Sequence, residues 1–221
     1  MGRLKELEKR FIKVVYELLK QKGFKKCTGL PGAYYKMEND DIGRSLAFHS
    51  AFWGGKGDYF TVEVIIGVVC EWASKVRYEL VTYKKVPKIW PEIVWDMKYF
   101  MPKEEQQSWW RVSEENYKEV AEYLVAQGLK YSQQYYDDFN SLEKVLDEMN
   151  KNPGHYENIL PILLYQLNRE EEAIEAINNR INDYKKIFNE SDNEEEIVFY
   201  KDLYAKYLTF VDNFKNGYLD Q

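Results

Sequence analysis

An α+β fold is what this sequence predicts: an antiparallel β-sheet with helices packed mainly on one face, followed by an all-helical C-terminal extension. Three observations predict it. Leu46 to Val69 reads LAFHSAFWGGKGDYFTVEVIIGVV, two alternating runs about a glycine-rich bend, which is the pattern of a half-buried β-hairpin. Apolar residues at helical spacing precede it, from Leu4 to Leu19. Beyond the breaker Asn152-Pro153-Gly154 the alternation stops and helical periodicity takes over. The expected division is a sheet domain at residues 1–152 and an extension of three helices at 153–221.

The first helix spans 3–22, with Leu4, Leu7, Phe11, Val14, Val15, Leu18 and Leu19 on one stripe. Gly23 is its left-handed stop. Thr28 to Gly32 is a turn cluster, Ala33–Met37 a short strand, and Glu38-Asn39-Asp40-Asp41 the turn into the hairpin. In the hairpin, Phe60, Val62, Val64, Ile66 and Val68 share one face. Tyr59, Thr61, Glu63, Ile65, Gly67 and Val69 share the other. Slipping the register by one residue exposes the whole Phe60–Val68 row, so that row sets the pairing. Glu63 marks the second face as partly wet.

Lys75–Tyr83 alternates and reads as a third long strand after a turn at 70–74. Residues 84–91 hold two prolines and read as loop. Val94–Phe100 reads as an edge strand and Trp109–Val112 as a last one. Ser113 is a helix N-cap with Glu114 and Glu115 behind it, and the helix it opens stops at Gly128. Asn140 or Ser141 starts a second helix, and Asn140 with Glu143 has the capping-box spacing. The extension then holds helices at 156–167, at 168–189 opened by Asn168, and from Ser191-Asp192 onward. The stretch ILLYQLNREEEAIEAINNRI is similar to one tetratricopeptide helical pair, with Ala173 at the small position, but no copy follows 34 residues away.

Composition excludes several classes of function. The net charge of the 221 residues is −6. From His155 onward fourteen acids face seven bases, a net of −7 that leaves +1 upstream. Binding to nucleic acid by counterion release needs clustered positive charge, so no nucleic-acid partner is expected. No apolar run approaches the roughly 18 residues of a membrane span, and the start MGRLKELEKRF lacks an apolar signal core, so a cytoplasmic protein is expected. Cys27 and Cys70 match neither a disulfide framework nor a zinc spacing. With two histidines in the chain, no metal and no cofactor are expected.

The chemistry-bearing residues are few. His49 lies mid-strand and can face Glu63 across the hairpin, the pairing a general base uses, but no nucleophile motif accompanies it. Gly54-Gly55-Lys56-Gly57 lacks the spacing of a phosphate loop and precedes a strand rather than a helix. No catalytic set is identified. Tyr and Trp are abundant, at 19 and 6, and tryptophans in bends and loops suit a protein-binding surface.

The order of features resembles the bacterial domain-of-unknown-function 4304 family over residues 5–150. It comprises a helix ending LLKQKGFKK, a strand at Tyr34-Tyr35, the Leu46–Phe52 run, Phe60-Thr61-Val62 with Gly67, and Trp109-Trp110 ahead of a helix. The chain departs from it at Val64-Ile65-Ile66, where the family usually has an asparagine. The resemblance implies a fold and a bacterial, cytoplasmic origin, and it implies no reaction.

Three functions compete. The leading one is a non-enzymatic binding protein that contacts a partner protein through Trp53, Trp72, Trp90, Trp109, Trp110 and Arg111. The second is a ligand-binding or enzymatic domain, with a pocket between the sheet and the C-terminal helices lined by His49, Glu63, Arg77 and Tyr78. The third is a structural or oligomerising module.

Overall fold

A computed structural model describes residues 2–52, 58–81 and 89–219. Their order is α1 (Gly2–Gln21), β1 (Lys25–Lys26), β2 (Ala33–Met37), β3 (Ile42–Ala51), β4 (Tyr59–Cys70), α2 (Glu71–Leu80), β5 (Ile93–Asp96) and β6 (Trp110–Ser113). Five helices follow: α3 (Tyr117–Asp138), α4 (Leu142–Met149), α5 (Leu160–Gln166), α6 (Glu170–Glu190) and α7 (Glu194–Phe214). The class is the α+β one expected, with an antiparallel sheet and a helical C-terminal stretch. Contacts divide the chain into two compact units, Met1–Glu71 with Pro87–Asn140, and Trp72–Val86 with Ser141–Gln221. The division at residue 152 expected from the proline-glycine breaker differs from this one, because α2 and α4 group with the later helices.

In the first unit the strands run in the order β1-β2-β3-β4-β5, all antiparallel, and β6 also pairs β4. β4 is the centre. β3 lies along one side of it, from Ile42 opposite Cys70 to Ala51 opposite Thr61. On its other side β6 pairs residues 59–62 and β5 pairs residues 65–68, so β5 and β6 lie end to end on one edge. Phe60, Val62, Val64, Ile66 and Val68 are all fully buried. This is the face under α1 and α3, where Phe11 meets Phe60 edge-on at 5.7 Å. Burying five such side chains is worth on the order of 10 kcal/mol before entropy is counted, which is why the register holds. On the opposite face Tyr59, Thr61, Glu63 and Ile65 are half-buried. A smaller cluster of Cys27, Ala33, Tyr35, Ala47, Val69 and Ile89 is buried apart from the main core.

α1 ends as its sequence requires. Gly23 takes φ 84°, and the Phe24 N–H donates to Leu19 O at 3.1 Å, closing the last turn. α3 does not stop at Gly128. It continues to Asp138 and buries Tyr131 and Tyr135 on the way. A Cβ at Gly128 would sit 3.1 Å from Leu46 Cδ2, so this glycine lets the helix approach β3 closely. The roughly 1 kcal/mol it costs the helix is outweighed by the two buried tyrosines. Arg44, almost fully buried on the same face, bonds Glu38 at 2.6 Å and the Leu129 carbonyl at 3.3 Å. Ser113 ends β6 rather than capping α3: its N–H donates to Asn116 Oδ1 at 2.8 Å.

The second unit contains helices and no strand among its described residues. Of the strand expected over Lys75–Tyr83, residues 75–80 belong instead to α2, and Thr82 and Tyr83 lie outside the described residues. Trp72, Val76 and Leu80 recur at helical spacing within the same ten residues, and Ala73, Ser74, Val76 and Leu80 are buried. A ten-residue stretch satisfies both periods, so packing arbitrates. The Asn213 side chain donates to Leu80 O at 3.1 Å, tying the end of α2 to α7. α5 packs on α6 and α6 on α7. Their core is aromatic, with Tyr184 against Tyr204 and Tyr207 at 5.5 and 5.9 Å, and Phe210 stacked on Phe214 at 5.9 Å. Ser141 caps α4 by accepting from Lys144 N, and Asn193 caps α7 by accepting from Glu195 and Glu196 N. Asn168 takes φ 58° and stands just outside α6, which begins after Arg169.

Candidate functional site

The half-covered face of the first unit brings polar groups from three strands together. Alternation puts His49, Glu63 and Asp96 on one side of the sheet. His49 is the register partner of Glu63, and Asp96 the partner of Ile65, two residues along. Asp96 ends β5 because its carboxylate accepts from the Lys98 backbone N–H at 2.9 Å, opening the tight turn Met97–Phe100. That turn swings Lys98 back, so its ammonium lies 2.8 Å from Asp96 Oδ2 and 3.0 Å from Ser108 Oγ. Burial, and then the charge of Asp96, raise the Glu63 carboxyl above its ordinary range, while His49 and Lys98 oppose the rise. A side-chain hydrogen bond to Asp96 raises it further. Desolvation and a neighbouring like charge both disfavour the ionised form of a carboxyl.

The edge beside this cluster is apolar. Val94 and Trp95 on β5 are each 46% exposed and Tyr99 is 61% exposed. The Trp95 and Tyr99 rings meet edge-on at 5.9 Å, and the Lys98 ammonium lies 4.9 Å from the Tyr99 ring centre. Trp109, 36% exposed, follows the Ser108 that Lys98 binds. Single exposed apolar residues are ordinary on any surface. Here they lie on the strand that ends the sheet and the turn after it, Val94 on the face of Asp96 and Trp95 on the other. At the far end of the same edge Arg111 is exposed and stands 3.6 Å over the Tyr59 ring.

The residues singled out from sequence are shared between the two units. His49 and Glu63 do face each other, and His49 also borders a shallow cleft with Glu8, Lys9 and Pro31. Arg77 and Tyr78 lie on α2, in the second unit. Trp72 is half-buried, stacked on Tyr165 and edge-on to Tyr218. Trp110, on β6 opposite Val62 of β4, is buried. Trp90, Trp109 and Arg111 are exposed, and Trp53 lies outside the described residues. Trp95 and Tyr99, which the structure adds to these, are large exposed aromatics on an edge strand and the turn after it, within the Val94–Phe100 run.

Both cysteines are buried and neither is in a disulfide, and burial pushes the Cys27 thiol up to about 12. Among the described residues, no group of three or more His, Cys, Asp and Glu side chains could hold a metal ion, and no helix is long and apolar enough to cross a membrane. Comparison of the chain with protein-family models, with curated proteins and with solved structures returned no match.

Proposed function

We propose that this chain is a non-enzymatic binding protein that engages a partner protein through the aromatic edge of its sheet unit. The observation that carries the reading is the exposure of Val94, Trp95 and Tyr99 on and just after β5, the strand at the end of the sheet. Large, stiff aromatic side chains beside a charged pair are what interface centres use, since they bury much area for little lost rotamer freedom. The Asp96–Lys98 pair would supply orientation at the middle of such a patch. On this reading the resemblance to the domain-of-unknown-function 4304 family concerns the scaffold, and the protein works in a bacterial cytoplasm without a nucleic-acid partner. The buried thiols without a disulfide and the acidic C-terminal segment support that setting.

The test is site-directed crosslinking in the native host. A photoreactive phenylalanine analogue replaces Tyr99 in one strain and the exposed Tyr123 of α3 in another. One discrete crosslinked partner at 99, absent at 123 and at least ten-fold weaker when Trp95→Ala is added, supports the proposal. Equal products at both positions, or a product indifferent to Trp95→Ala, overturn it. A product of twice the chain's own mass would establish the self-associating module instead.

A further inference from the structure

The second unit contains a cleft of about 230 Å³ among α5, α6, the Pro153–Tyr156 turn and α7. We infer that it binds an alkylammonium group. The cleft has an apolar floor of Leu160, Leu164 and Ala176, and charged walls. Glu157, Glu172, Glu175 and Asp183 line it against a single cation, Arg180.

That cation is already engaged. Arg180 Nε donates to Glu157 Oε2 at 2.6 Å, and its guanidinium lies 4.3 Å from the Tyr184 ring centre. The Tyr184 hydroxyl donates to the same Oε2 at 2.8 Å. Both donors converge on one oxygen, so the second oxygen of Glu157 receives no donor among the described residues. Glu172 is clamped by Arg169, and Asp183 stands at 4.0 Å from Arg180. The net surplus is negative.

A second, independent observation points to a ligand. Tyr207 lines the cleft and is 2% exposed, yet its hydroxyl has no hydrogen-bond partner. Burial and the nearby charge of Glu157 push its ionisation up, so it remains an O–H that can both donate and accept. A buried hydroxyl without a partner is costly, and a donor-rich group arriving from the cleft would relieve it. An ammonium carries three donors and no acceptor, which matches an unfilled carboxylate oxygen, a hydroxyl lone pair and surplus acids on the rim. The apolar floor suits a methylene stem. The volume falls below the roughly 300–1,000 Å³ of sites for drug-sized ligands, so the group is a short aliphatic amine or the side chain of a lysine.

The experiment is isothermal titration of the full chain at low salt with cadaverine, with Nα-acetyl-lysine amide, and with glutarate and pentanol as anionic and neutral probes of similar length. Saturable binding of an amine below about 1 mM, with neither control bound, supports the inference. Cadaverine without the lysine amide identifies a free diamine, and binding of both admits a lysine side chain. Tyr207→Phe keeps the ring and removes the hydroxyl. It should weaken amine binding five- to ten-fold while leaving the midpoint of thermal unfolding equal or higher, an outcome a merely structural hydroxyl would not give. The exposed Glu175→Gln should weaken it two- to four-fold without affecting folding. No amine binding, glutarate binding in its place, or binding unchanged in both variants overturns the proposal.

Discussion

Gly67→Ala should destabilise the sheet unit by about 1 kcal/mol, although glycine is ordinarily the weaker strand residue. Gly67 sits mid-β4 opposite Ser45 and Val94. A Cβ there would stand 2.7 Å from Ser45 Oγ, 2.8 Å from Ile93 O and 2.9 Å from Val94 Cγ1. The serine can rotate, but the Ile93 carbonyl is backbone, so β5 itself must shift. Full retreat of the strand would uncover Ile93 and Met97, 1% and 0% exposed, at about 1.5–3 kcal/mol each. A local distortion is cheaper, at roughly 1–3 kcal/mol for overpacking. Alanine returns about 0.5–1 kcal/mol by restricting the unfolded chain. The balance near 1 kcal/mol corresponds to a fall in Tm of roughly 2–4 °C for a chain of this size. Scanning calorimetry reads the shift, and amide exchange locates it: the Glu92 N–H, which donates to Val68 O at 2.7 Å, should lose protection. Adding Val94→Ala should recover part of the loss, whereas Gly217→Ala, which meets no atom within 4 Å, should cost nothing. A Gly67→Ala protein as stable as the parent, with β5 amides equally protected, would show that the close packing of β5 on β4 is not real.

Two further outcomes follow from the charges of the same unit. Glu63 is raised in the folded state, so it holds its proton there over a pH range in which the unfolded chain has released it. Its contribution is therefore present below the ordinary carboxyl range near 4.5 and lost as pH rises above it. Glu63→Gln should match the parent near pH 4 and exceed it at pH 7 in urea denaturation; a variant less stable at pH 7 contradicts the assignment. Arg44 and Glu38 form a largely buried pair, with side chains 9% and 18% exposed. Glu38→Gln leaves the guanidinium without its counter-charge and should cost about 3 kcal/mol, and a loss under 1 kcal/mol by the same assay would place that pair among ordinary surface contacts.

Much of the first unit was legible because alternation is a local property that burial amplifies. Phe60 to Val68 announce a buried row, and that row is buried. The α1 stripe and its Gly23 stop are equally local, since Leu7, Phe11, Val15 and Leu19 fall on one face and the glycine supplies the backbone geometry. Glu71 to Leu80 fits either a strand or a helix, and the packing of Val76 and Leu80 settled it. Gly128 carried the composition of a stop and serves as a contact. The candidate site divides the same way. That His49 faces Glu63 follows from the hairpin register. That Asp96 and Lys98 join them depends on β5 pairing β4, a contact some thirty residues away in sequence.

By itself, then, the chain determined the class of fold, the hairpin with its buried side, the first helix and its end, and the excess of acid beyond residue 155. Each of these rests on neighbours within a few turns or strand residues, where geometry repeats and hydrophobicity marks the inside. Only the tertiary structure decided which tryptophans face water, that α2 is a helix, that Glu63 meets Asp96, and that Tyr207 is buried without a partner. These depend on which distant segments meet, and exposure and hydrogen bonding belong to that assembled surface rather than to any local pattern.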